Sequence, residues 1–225
     1  MKILIDSADM EKIQEICEYF PIAGVTTNPT ILLRTKKDPD IILKQIRSFI
    51  GNRELHVQAV GDSCQEFLDD AKAIIDVLGK EVFIKVPSTK EGYKAMKILK
   101  AQGYHVTATI VYYPDQALLA SGIGVDYIAP YFNRIFKEGM DPVASFLGMK
   151  GIISTTSTRI LAASFKTLDQ VIEAAKLGID AMTLSPDIFD QMIAHPRIDE
   201  ALDRFNSDFH ELTGTHSSLK DILKS

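Results

Sequence analysis

Along the chain, short apolar runs alternate with stretches whose apolar residues recur every three or four positions, and this alternation predicts strands and helices in turn. The predicted strands cover residues 2–6, 24–28, 55–60, 82–87, 105–111, 127–132, 159–165 and 181–184. Helical spacing links Met10, Ile13, Cys17 and Phe20 after a Ser7 cap, and Ile42, Ile46 and Phe49 after Asp38-Pro39. It recurs in Phe67, Ala71, Ile74, Ile75 and Leu78 between Ser63 and Gly79, and in Ala95, Ile98 and Leu99 after a Ser88–Glu91 capping box. Pro114 opens a further helix that Gly122 and Gly124 end, and Asp141-Pro142 opens one to about Leu147. Residues 148–158 read as a polar connection, 167–177 as a helix, and Ser185-Pro186-Asp187 as the start of another. Eight strand–helix units with no linker-like break predict an α/β fold, a (β/α)8 TIM barrel over 1–195; a doubly wound open sheet is the competing arrangement. Ile198, Leu202, Phe205, Phe209 and Leu212 give an extra C-terminal helix, 196–213, either part of the same domain or docked on a neighbouring subunit. Residues 214–225 read as a tail, with Leu219, Ile222 and Leu223 able to dock.

Splitting each predicted strand into its two side-chain phases sharpens the picture. One phase is apolar: Ile3, Ile5, Val25, Leu55, Val57, Val82, Ile84, Val86, Val106, Ala108, Ile110, Ile128, Phe132, Ala163 and Phe165. These residues are expected to face the helices. The other phase carries Asp6, Thr26, Asn28, Gln58, Lys85, Thr109, Tyr131 and Ser164, near the C-terminal strand ends where barrel enzymes build their active sites. In an open sheet the same residues would be spread over two faces.

Lys85 stands out because it interrupts the strand-like run Val82-Phe83-Ile84-Lys85-Val86-Pro87. Burial disfavours the ammonium, lowers its pKa and leaves a neutral amine able to form a Schiff base with a carbonyl. The plainer reading is a strand-end lysine that reaches water. Plainer readings exist for the others too: Asp6 as a helix cap, Thr26 and Asn28 as turn formers before Pro29, Gln58 and Thr109 as core polar groups. Tyr131 also reads as a rim aromatic, Ser164 as a surface cap and Arg134 as half of a surface ion pair. Seven polar residues sharing a phase with one lysine favour the functional reading.

Composition narrows the classes further. A net charge of -5 and the lack of a Lys/Arg block argue against nucleic acid as a partner. No run approaches the length of a membrane span, and Asp6 and Asp9 arrive too early for a signal peptide, so a cytoplasmic protein is expected. Cys17 and Cys64 lack metal-ligand spacing and read as buried free thiols. His56 and His105 stand isolated, and no metal cluster is expected.

Five segments together resemble the transaldolase family, in its small single-barrel branch that includes fructose-6-phosphate aldolase. They are Ile5-Asp6-Ser7-Ala8-Asp9, Gly24-Val25-Thr26-Thr27-Asn28-Pro29, Ile84-Lys85-Val86-Pro87, Ala129-Pro130-Tyr131 with Asn133-Arg134, and Ala162-Ala163-Ser164-Phe165-Lys166. The resemblance extends to about Leu212. It implies a Schiff base on Lys85, proton handling by Asp6, and Thr26 and Asn28 on substrate hydroxyls. It also implies a phosphate held by Arg134 and Ser164, a reaction without cofactor or metal, and a homo-oligomer, a decamer in which the last helix crosses to its neighbour. Transaldolases of the family carry glutamate at the position of Gln58 and phenylalanine at that of Tyr131. The aldolase branch matches this chain at both, which with Thr109 suggests water positioned for proton transfer. The expected reaction is cleavage of the sugar phosphate fructose 6-phosphate to dihydroxyacetone and glyceraldehyde 3-phosphate. The second reading is transfer of the same three-carbon unit to erythrose 4-phosphate, and a third is a non-catalytic barrel that binds sugar phosphates.

Overall fold

Parallel strands need crossovers, and the helical stretches between the apolar runs supply them. In the computed structural model, which describes residues 1–214 and 218–223, the strands are β1 (Lys2–Asp6), β2 (Gly24–Thr26), β3 (Glu54–Gln58) and β4 (Phe83–Pro87). They continue as β5 (His105–Val111), β6 (Tyr127–Pro130), β7 (Arg159–Ala162) and β8 (Ala181–Leu184). All pair in parallel and in chain order, and β8 closes on β1. The architecture is the (β/α)8 barrel, not the open sheet.

The helices are α1 (Met10–Tyr19), α2 (Pro29–Thr35), α3 (Pro39–Ile50), α4 (Cys64–Leu78), α5 (Lys90–Ala101) and α6 (Pro114–Ile123). Then come α7 (Phe132–Lys137), α8 (Pro142–Ile153), α9 (Leu168–Lys176), α10 (Pro186–Ile193) and α11 (Pro196–Thr213). Several differ from the sequence reading for local reasons. Asp9, not Ser7, caps α1, accepting from the amides of Glu11 and Lys12, because a carboxylate meets two orphan donors at once. Thr89, not Ser88, caps α5 by accepting from the Gly92 amide. Helix α8 runs through Gly148 and Gly151 to Ile153, where a polar connection was expected. Strands β6 and β7 end early, and α7 starts within the predicted sixth strand.

Register fixes the two faces of the sheet. Asp6 pairs with Thr26, Gln58 with Lys85, Lys85 with Thr107, and Pro87 with Thr109. Ile5, Val25, Leu55, Ile84, Val86, Val106 and Ile128 are buried at 3% exposure or less, on the helix side of the strands as expected. Across the axis, Leu4, Phe83, Tyr127, Leu161 and Ala181 form one packed layer. His56 belongs with them: its ring stacks on Phe83 at 4.4 Å, and Nδ1 lies 2.9 Å from Thr107 Oγ1. Glu54 joins it through His56 Nε2 at 3.4 Å and also receives Lys2 Nζ and the Tyr127 hydroxyl. His105 meets Asp126 at 3.3 Å, so neither histidine is isolated. Cys17 and Cys64 are free but half-buried, not buried.

The seventh strand departs from the expected phase. Tyr131 bridges Ala163, which puts Ala163 with Leu161 on the axial side and leaves Ser164 just beyond the strand. The run Ile160-Leu161-Ala162-Ala163 is apolar on both faces, so alternation carried no signal there. Ile110 also moves: a bulge between Ala108 and Val111 gives it a φ of 59° and turns it toward the cavity.

By contacts the chain forms two units, 1–189, which holds all eight strands, and 190–225, which holds α11. Within the second unit a 3-10 turn spans Leu219–Asp221, and Leu219 and Leu223 are exposed. The expected tail includes residues 215–217, 224 and 225, which lie outside the described residues.

Candidate functional site

The carboxyl ends of the strands open into a cavity of about 340 Å³. Asp6, Thr26, Asn28, Gln58, Lys85, Tyr131, Arg134 and Ser164 all line it, and Thr109 reaches it through Tyr131, whose hydroxyl lies 2.7 Å from Thr109 Oγ1. The residues singled out from strand phase therefore converge.

Lys85 is 6% exposed, and its Nζ donates to the Thr27 carbonyl at 2.8 Å. Burial lowers its pKa below the usual lysine range, and Asp6 opposes that shift. Asp6 shows the complementary effect: burial raises its pKa, while Lys85 and a 2.6 Å hydrogen bond from Thr26 Oγ1 act the other way. Since Thr26 donates to Asp6, Thr183 Oγ1, 2.7 Å away, donates to Thr26 in turn. The pair is an amine and a carboxyl, both pushed toward neutrality by the same dry setting. Such shifts favour a lysine as nucleophile and a carboxyl group as a proton exchanger.

Tyr131 leads from β6 into α7, and burial raises the pKa of its phenol. It thus stays protonated at neutral pH, a donor and acceptor beside Thr109. Arg134, on α7, lies with its guanidinium 5.1 Å from the Tyr131 ring centroid and donates to the Tyr112 hydroxyl at 3.2 Å. The corner that holds Ser164 is braced from both sides. The Ser164 carbonyl accepts from the Asn133 amide at 3.1 Å. Gln170 accepts from the Lys166 amide at 2.8 Å and donates to Asn133 Oδ1 at 3.0 Å. Ser164 takes a φ of 64°, a strained value outside glycine, and with it Ser164 and Lys166 both border the cavity.

The sequence reading missed further lining residues: Arg34 on α2, Lys166 beyond β7, Thr183 on β8 and Ser185. Thr183 had a usable signal, since it shares the axial phase of a strand. Arg34 had none, because a cation in a short helix resembles any surface charge, and Lys166 stood out only as the end of a segment that carries the family resemblance. Among the described residues no group of three or more His, Cys, Asp or Glu side chains is placed to hold a metal, and no helix is long and apolar enough to cross a membrane.

Residues 3–225 match the family described as transaldolase/fructose-6-phosphate aldolase. A probable fructose-6-phosphate aldolase of Streptococcus pneumoniae is 37% identical over 224 residues, covering 96% of this chain and 100% of that protein. A probable transaldolase of Nitrosopumilus maritimus is 32% identical over 223 residues, covering 98% of this chain and 100% of its own length.

Proposed function

Because the chain belongs to the transaldolase/fructose-6-phosphate aldolase family, we propose that it is a Schiff-base aldolase that cleaves fructose 6-phosphate to dihydroxyacetone and glyceraldehyde 3-phosphate, and catalyses the reverse condensation. The observation that carries the reading is the buried, pKa-lowered Lys85 facing the pKa-raised Asp6 in the barrel mouth.

In this reading the neutral Lys85 amine adds to the C2 carbonyl, and loss of water leaves an iminium. The Asp6 carboxylate takes the proton of the C4 hydroxyl as the C3–C4 bond breaks. The electron pair of that bond flows into the iminium, giving an enamine and releasing glyceraldehyde 3-phosphate. Thr26 orients Asp6, and Asn28 bonds the donor hydroxyls. Its Oδ1 is already committed to the Ile31 amide at 3.0 Å, so its NH2 is the group that faces substrate. Arg134, Ser164 and Lys166 hold the phosphate, which suits a guanidinium and an ammonium. A water held by Tyr131, Thr109 and Gln58 supplies the proton to C3. Hydrolysis of the resulting iminium frees dihydroxyacetone and Lys85.

The likeness to a probable transaldolase supports a second reading, in which the enamine attacks erythrose 4-phosphate instead of being protonated. Incubation with fructose 6-phosphate, with and without erythrose 4-phosphate, separates the two. Dihydroxyacetone and glyceraldehyde 3-phosphate accumulating without the acceptor is the expected result. Turnover that requires the acceptor overturns the aldolase assignment in favour of transfer.

A further inference from the structure

The cavity carries more positive charge than one phosphate needs, and the charge is split between its two ends. Arg134 and Lys166 stand on the β6–β7 side. Arg34 stands on α2, which follows β2, and β2 lies four strands from β6 in a closed ring of eight, so the two groups face each other across the mouth. Arg34 is exposed at the rim and makes no hydrogen bond or ion pair among the described residues. Among the described residues, Asp6 is the only carboxylate lining the cavity against these three cations. It feels both Lys166 and Arg34, each of which favours its ionised form.

The Schiff-base reading above gives this asymmetry a meaning. With the ketone carbon on Lys85 and the distal phosphate at Arg134, Ser164 and Lys166, the remaining end of the donor fragment points toward β2. A hydroxyl there needs one hydrogen-bond partner, and the free NH2 of Asn28 provides it. A guanidinium at the same end is a fork of donors with a permanent charge, whose natural partner is a phosphate.

We propose that Arg34 forms a second anion subsite, at the donor end of the cavity, so that the enzyme also uses a three-carbon ketone phosphorylated on the carbon away from the bond being made. Ketose 1,6-bisphosphates then join ketose 6-phosphates as substrates. The chemistry on Lys85 is the same: amine and ketone condense with loss of one water, and the phosphate ester is untouched.

The test compares dihydroxyacetone phosphate with dihydroxyacetone as donors toward glyceraldehyde 3-phosphate, in the wild-type protein and in Arg34→Ala and Arg34→Lys. The readout is the ratio of kcat/KM for the phosphorylated donor to that for the neutral one. In Arg34→Ala this ratio is expected to fall about tenfold, the size of one charge-assisted contact at a partly solvated rim, chiefly through KM. Arg34→Lys, which keeps the charge and loses the fork, should give an intermediate ratio. Borohydride trapping with dihydroxyacetone phosphate should leave a phosphate-bearing adduct on Lys85. Adduct and product from dihydroxyacetone alone overturn the second subsite and leave the Schiff-base reading standing. So does a ratio that Arg34→Ala changes by less than about threefold, the mark of a rim charge that only tunes Asp6. Failure of both ketones to mark Lys85 overturns the subsite together with the Schiff-base reading.

Discussion

A single ammonium inside a barrel is costly, and burial shifts Lys85 toward its neutral form. Asp6 resists that loss, since its negative charge favours the ammonium. The sign of a mutation follows. Removing the carboxylate in Asp6→Asn takes away the one influence that raises the Lys85 pKa, so the amine becomes neutral at lower pH. The acid limb of kcat/KM for the wild type is expected below the ordinary lysine value of 10.5. In Asp6→Asn it should move to lower pH still, while kcat drops by about 10²–10⁴-fold through loss of proton transfer. A limb that stays put, or rises, in a pH–rate profile of that variant would show that the two groups are not coupled as described. Lys85 was legible in the sequence because a charge inside an apolar run violates the local pattern. Arg134 was readable only through the family resemblance, and Ser164 through the polar strand phase, although the strand itself ends before it. Lys166 and Arg34 violate nothing locally, so only the folded mouth of the barrel reveals what they face.

Among elements, the long amphipathic helices and the strands with one polar phase could be read directly. The short or irregular ones could not. Helices α2 and α7 have 7 and 6 residues, too few to repeat a 3.6-residue period, yet they carry Arg34 and Arg134. The bulge in β5 and the turn at Ser164 depend on positive φ values that no residue type there announces. The floor beneath the site was also unforeseen, because His56, Glu54 and Tyr127 are brought together by β3 and β6 only when the barrel closes. Burial there lowers the His56 pKa from 6.5 to about 4, and Glu54, hydrogen-bonded by His56 and Lys2, falls to about 2. For His56 the folded protein binds fewer protons than the unfolded chain between these values. Stability is therefore fully present above about pH 6.5 and declines as pH falls toward 4, by roughly 3 kcal/mol from this group. Glu54 adds a further loss as pH falls from 4.5 toward 2. Denaturant midpoints measured from pH 7 to 4 should drop accordingly, and His56→Gln should flatten the curve over that range. An unchanged slope in the variant would remove His56 from the account of acid sensitivity.

For the whole molecule, the barrel and its axial phase were available from alternation in most strands, which place their polar residues on the same side; the seventh, apolar on both faces, is the exception. Association was not. Ile198, Leu202, Phe205 and Leu212 on α11 are each more than half exposed in the single chain, an apolar stripe that water does not favour. We propose, from the family resemblance, that α11 is covered in a homo-oligomer, a decamer. Sedimentation velocity should then show a single large species, with Leu202→Glu/Phe205→Glu giving a smaller one; a monomeric wild type would remove the proposal. The Schiff base remains the claim on which the reading of the site depends. Fructose 6-phosphate is added to the assembled protein, sodium borohydride reduces what has formed, and peptide mass mapping locates the product. The account predicts one reduced three-carbon adduct, on the peptide containing Lys85, absent from Lys85→Ala. An active protein that carries no adduct at Lys85, or carries it on another lysine, would contradict it.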